Sequence, residues 1–162
     1  MMMSSPILYD ARERFGEAQR EGLEYILERD SEDFAFEPWD MEIQDAYETT
    51  LSYIGGILLL LNPDDEKYNL NDARRRLVIF PMAVKKKFIE LTQEVRPRAM
   101  VIMAYYFAIL VIEKLWWVGD VGRLEVQAVD GSLPAKWQKM MEWPLRVVKA
   151  GRILPIQQNN GA

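Results

Sequence analysis

The sequence predicts an all-α fold, an irregular bundle of about six or seven helices around one central hydrophobic helix. Three observations carry this. The stretch from Ala99 to Ile112 is apolar on nearly all sides, the pattern of a helix enclosed by others. Around it, apolar residues recur three and four apart. No segment alternates cleanly enough to read as a strand. Of the 162 residues, 49% are hydrophobic and 28% charged, enough apolar material to bury a core and avoid disorder. The length suits one domain, with residues 1–150 as its body and 151–162 as a flexible tail.

Taken in order, Pro6 to Asp30 reads as an amphipathic helix through Leu8, Ala11, Phe15, Ala18, Tyr25 and Ile26, weakened by Gly16 and Gly22. The acidic linker from Asp30 to Asp40 carries Phe34, Phe36 and Trp39, which are expected to tuck against the body. A second helix runs from Trp39 or Asp40 to Leu61 on a stripe of Ile43, Ala46, Tyr47, Thr50, Leu51, Ile54, Leu58 and Leu61. Gly55-Gly56 offers either close approach or a kink, and Asn62-Pro63-Asp64-Asp65 stops the helix.

Asn71 or Asp72 is expected to cap a short helical turn into Leu77–Phe80. Pro81 should end that piece and start the next, Met82 to Glu94, with Val84, Phe88, Leu91 and Val95 on its apolar face. Lys85-Lys86-Lys87 reads as a solvated face. Pro97 opens the central helix. Val121 to Asp130 follows as an amphipathic helix through Leu124, Val126, Ala128 and Val129. Gly131-Ser132 ends it, Pro134 starts another with Trp137, Met140 and Met141 inward, and Trp143-Pro144-Leu145 opens a last short turn.

Composition narrows the chemistry. The formal net charge is −5, with no Cys and no His. Disulfides, thiolate or imidazole metal sites and Cys or His catalysis are therefore excluded, and no cofactor is implied. An acidic balance makes direct nucleic-acid binding a poor expectation. Met1 to Ser5 has no basic or apolar signal region, and the 14 residues of Ala99–Ile112 are too few to span a bilayer. A soluble, intracellular protein of nucleus or cytoplasm is the expectation.

A distinctive run extends from Arg76 to Leu145. It contains Phe80-Pro81, Phe88, Arg96-Pro97-Arg98-Ala99, Ala104-Tyr105-Tyr106, Trp116-Trp117, Gly119 and Trp143-Pro144. In this order and spacing, the run resembles the C-terminal regulatory region of fungal zinc-cluster transcription factors, especially those similar to sterol uptake control regulators. The six-cysteine cluster of that family is absent from these residues, and Asp120-Val121-Gly122 stands where an aromatic residue is more usual.

Read physically, Trp116, Trp117, Trp137 and Trp143 are core anchors. Met100, Met103, Met140 and Met141 suit a core or an adaptable apolar pocket, and at least one of the Tyr105 and Tyr106 hydroxyls needs a buried partner or a wet cavity. The resemblance implies a pocket for a lipophilic, sterol-like molecule lined by Met103, Tyr106, Phe107, Trp117, Gly119 and Met140. A protein partner or a homodimer is a further expectation. The alternative is a metal-free cyclase or isomerase of hydrophobic fungal secondary metabolism, with Tyr106, Glu113, Asp120 and Glu125 as acid–base candidates. The plainer reading of those carboxylates is surface charge or a helix cap.

Overall fold

The computed structural model describes residues 26–29, 32, 36–113 and 120–150. Nearly all of the expected first helix, Phe34, the Trp116-Trp117 pair, Gly119 and the tail lie outside them. Five α-helices come in order: α1 Met41–Leu61, α2 Leu70–Ala83, α3 Lys86–Gln93, α4 Pro97–Ile112 and α5 Val121–Ser132. A 3-10 segment, Ala135–Met141, leads into residues 142–150, helical and called α6. No strand occurs among the described residues, and none of their helices is by itself long and apolar enough to cross a membrane.

The centre of the bundle is α4, which packs against α1, α3, α5 and the 3-10 segment. Val101, Ile102, Ala104, Tyr105, Ala108 and Ile109 are all fully buried along it. Pro97 sits in its first turn, where its fixed φ favours the helix and its missing N–H breaks no internal bond. At α1, the Asp40 carboxylate accepts from Ile43 N at 2.8 Å, satisfying one orphan donor. The expected stripe of α1 is buried from Ile43 to Ile54. Gly55 and Gly56 are also buried, and the helix continues through them. Asn62 ends it, and Asn69 N returns to Leu60 O at 2.9 Å to close the loop.

Several boundaries depart from the sequence reading. Asn69, not Asn71 or Asp72, caps α2, its side chain accepting from Asp72 N at 3.0 Å. Pro81 lies inside the last turn of α2, and the break falls at Val84–Lys85. Proline at 81 removes only the hydrogen bond to Leu77 O, which a different donor replaces, as described below.

Val95 is 60% exposed, not part of the apolar face. It adopts φ 55°, while Val95 N bonds Thr92 O at 3.0 Å and Arg96 N bonds Leu91 O at 3.1 Å. This pair of bonds is a Schellman cap, which requires a left-handed residue. A β-branched side chain there is strained. Phe36 is 86% exposed and does not tuck in, whereas Trp39 packs against the core. Two of the three lysines are charge-paired, Lys85 with Asp45 and Lys87 with Glu42 at 3.8 Å, while Lys85 and Lys86 stay exposed.

On α5 the buried face is Gly122, Val126 and Val129, while Leu124 is 54% exposed. Glycine is the reason. A Cβ at 122 would lie 2.8 Å from the Phe107 carbonyl oxygen and 2.9 Å from Val111 Cγ2, so the missing side chain lets α5 press onto α4. At Gly131 a Cβ meets nothing within 4 Å. Gly122→Ala is accordingly expected to lose about 1–3 kcal/mol of unfolding free energy by forced helix separation. Gly131→Ala should instead gain up to about 1 kcal/mol from helix propensity. Urea denaturation reads both, and equal effects of the same sign would refute the close-packing account.

Candidate functional site

The residues singled out from sequence do different jobs. Tyr106 is 7% exposed and stacks on Phe80 with centroids 4.1 Å apart. Its hydroxyl donates to Leu77 O at 2.7 Å. That carbonyl is the one Pro81 leaves without a helical donor, since residue 81 would bond four residues back. Burial, with a smaller contribution from Tyr53, pushes the Tyr106 hydroxyl up to about 12. Phe107 is half-buried and tilts against Tyr106 at 5.6 Å. Met103 is likewise half-buried at the core edge.

Met140 is buried on the 3-10 segment, and its carbonyl accepts from the Tyr105 hydroxyl at 3.2 Å. Thus Tyr106 and Phe107 are brought together, while Met140 pairs with the neighbouring Tyr105. Trp117 and Gly119 lie outside the described residues. Trp137 and Trp143 are core anchors, at 5% and 7% exposure, and Trp143 stacks on Tyr105 at 5.2 Å.

The acid–base candidates have structural partners. Glu113 ends α4 and pairs with Arg74 at 3.3 Å. Asp120 precedes α5 and pairs with Arg123 at 3.3 Å, and Glu125 is exposed. Tyr106 spends its proton on Leu77. Among the described residues no group of three or more acidic side chains could hold a metal ion.

The most concentrated polar construction was not singled out from sequence. Arg98, in the first turn of the apolar α4, is 0% exposed. Its Nε donates to both Glu37 carboxylate oxygens at 2.9 Å. Nη1 donates to Ile26 O and, at 2.7 Å, to Glu28 O. The guanidinium carbon lies 5.2 Å from the Trp39 ring centroid and 5.0 Å from that of Trp137, within cation–π range.

Arg29 adds a second guanidinium 4.5 Å from Trp39 and donates to Glu37 O at 3.0 Å. Trp39 Nε1 donates to Gln44 Oε1 at 3.2 Å, fixing the ring. Beside it Tyr47 is fully buried. Burial and then the Glu37 charge hold its hydroxyl well above the ordinary tyrosine range. Among the described residues that hydroxyl has no hydrogen-bond partner.

Against this cluster lies an open groove of about 420 Å³. Its apolar surface comes from Phe36, Trp137 and three prolines, Pro38, Pro97 and Pro134, while Glu32, Glu37, Arg96 and Lys136 supply charge. Prolines offer carbonyls but no N–H donors. The lining thus sets apolar rings beside two carboxylates and two cations.

Over 71 residues the chain is 37% identical to a Zn(2)-C6 fungal-type transcription factor of Gibberella zeae. Part of this chain is related to a fungal zinc-cluster regulator. The match covers 42% of the chain and 14% of that regulator's length. No protein-family model matches, and no solved structure matches.

Two outcomes follow from the geometry. Tyr106→Phe should cost about 1–3 kcal/mol by orphaning the Leu77 carbonyl. In a Pro81→Ala background the restored N–H takes over and the cost should shrink. Tyr47→Phe, which strands no partner, should be neutral or slightly stabilising; thermal unfolding of the four variants checks this.

Arg98→Met should lose about 3–5 kcal/mol, because Glu37 beside the core keeps only its longer ion pair with Arg29, at 3.9 Å. Adding Glu37→Gln should recover part of that loss. A double variant less stable than either single one would contradict the buried pair.

Proposed function

We propose that this chain is a helical regulatory domain of the type found in the C-terminal region of zinc-cluster transcription regulators, acting through protein contacts. The observation that carries the reading is the 37% identity over 71 residues to such a regulator, on an all-helical body. The chemistry agrees with it. The 162 residues hold no Cys to build a zinc cluster, and a net charge of −5 opposes direct DNA binding. The groove beside Arg98 is open and mixed in polarity, as contact surfaces are. Regulators act inside the cell, and the nucleus is the location this reading favours.

A second reading has its own support. Along the otherwise buried α4, Met100, Met103, Phe107 and Val111 form a half-buried stripe three and four residues apart. Methionine and phenylalanine there suit an adaptable apolar seat for a sterol-like molecule.

The full chain fused to a heterologous DNA-binding module, with a reporter gene in a fungal host, tests the regulatory reading. Reporter output should differ from that of the module alone, and identical output would refute it. Titration with a fluorescent sterol tests the second. Saturable binding weakened by Met103→Ala and Phe107→Ala is the expected result, and no binding removes that reading while leaving the first intact.

A further inference from the structure

Most cations on this domain are matched by its own carboxylates. Lys85 pairs with Asp45, Lys87 with Glu42 and Glu90, Arg74 with Glu113, Arg75 and Arg76 with Asp72, and Arg96 with Glu94. Lys67 and Lys86 stand apart from this matching as single exposed lysines, and Arg146 and Lys149 as an adjacent pair. The two of α6 are exposed and one turn apart, and among the described residues no carboxylate lies within ion-pair distance of either. In a chain with net charge −5, two adjacent unmatched cations are conspicuous.

They border a cleft. Arg146 and Lys149, with Leu145 and Val148 of α6 and Arg123 and Gln127 of α5, line an open depression of about 440 Å³. Val148 is 4% exposed and Leu145 half-buried, so the bottom is apolar while both banks are polar. Arg123 is paired with Asp120 at 3.3 Å, yet the Asp120 side chain is 75% exposed. An incoming carboxylate can therefore replace it.

We propose that this cleft docks an acidic, apolar-anchored segment of a partner protein. One apolar side chain of the segment seats on Leu145 and Val148, flanking carboxylates meet Arg123, Arg146 and Lys149, and the Gln127 amide is placed to bond peptide groups. Charge complementarity selects this occupant. A nucleic acid would need many phosphate contacts along an extended basic face, which three cations on an acidic domain do not supply. A bilayer is flat and cannot reach a concave apolar bottom. The proposal deepens the protein-contact reading above and rests on it for its biological use, but the binding chemistry stands on the cleft alone.

The test is fluorescence anisotropy with the full chain and a short fluorescein-labelled peptide carrying Asp and Glu around Leu and Phe. Saturable binding should weaken as salt rises, and Arg146→Glu with Lys149→Glu should weaken it by about tenfold or more. Arg146→Lys with Lys149→Arg should retain binding, as should the off-site control Arg75→Glu. Circular dichroism confirms that each variant is folded, as these exposed positions permit. No binding by the native chain, equal binding by the charge-reversed variant, or binding to anionic vesicles in preference to the peptide would each overturn the site. Failure here with an active reporter fusion would remove the docking site and leave the regulatory reading standing.

Discussion

Removing a guanidinium from water costs several kcal/mol unless its donors and charge are met, and Arg98 meets that demand with groups drawn from far along the chain. Glu37 and the carbonyls of Ile26 and Glu28 come from the segment ahead of α1, while Trp137 comes from the 3-10 segment after α5. An arginine in a helix's first turn also opposes the helix dipole, so the Glu37 carboxylate offsets two unfavourable terms at once. The arrangement is a device for position more than for net stability. It dictates where the entry to α1, the start of α4 and Ala135–Met141 converge, and the groove beside it inherits its walls from those same three stretches.

The hydrophobic interior solves a second polar problem. Helix α2 carries Pro81 in its last turn, which strips a donor from Leu77 O, and α4 presents Tyr106 at the place where one is missing. Phe80 stacks on the same ring, so a single tyrosine supplies both apolar area and the absent hydrogen bond. Tyr53 acts in parallel from α1, donating to Arg76 O at 2.9 Å. Two phenols from two different helices thus service consecutive carbonyls of α2. The orientation of that helix is set by hydrogen bonds as well as by packing.

Sequence patterning reached α1 and α4 well because each is long and its periodicity is unambiguous. It failed where the deciding partner is remote. Pro81 is as compatible with the first turn of a new helix as with the last turn of an old one, and only Tyr106, 25 residues on, decides between them. The expected caps Asn71 and Asp72 lie two and three positions past the actual one, Asn69, whose return bond from N to Leu60 O sets where the helix starts. Leu124 outranked Gly122 on hydropathy, yet the buried face belongs to the residue with no side chain. Arg98 was visible only as part of a run, because Glu37 lies 61 positions away and no local spacing links them. Of the expected pocket residues, Tyr106 and Met140 have their polar atoms engaged within the core, while Met103 and Phe107 sit at its edge.

Relation to a regulator covers 42% of the chain. With no Cys or His in the 162 residues, the surface charges are a natural place to look for contacts. On that basis the internal charge matching is informative. Lys85, Lys87, Arg74, Arg75, Arg76 and Arg96 serve to hold helices and loops together, and their neutralisation leaves an acidic exterior. Arg146 and Lys149 form no ion pair among the described residues of such an exterior, so their charge is left available to a partner. A pair of this kind above an apolar cleft is therefore better explained by something outside the domain than by anything within it, and the same reasoning gives the α5–α6 face priority over the well-satisfied ion pairs of α1–α3.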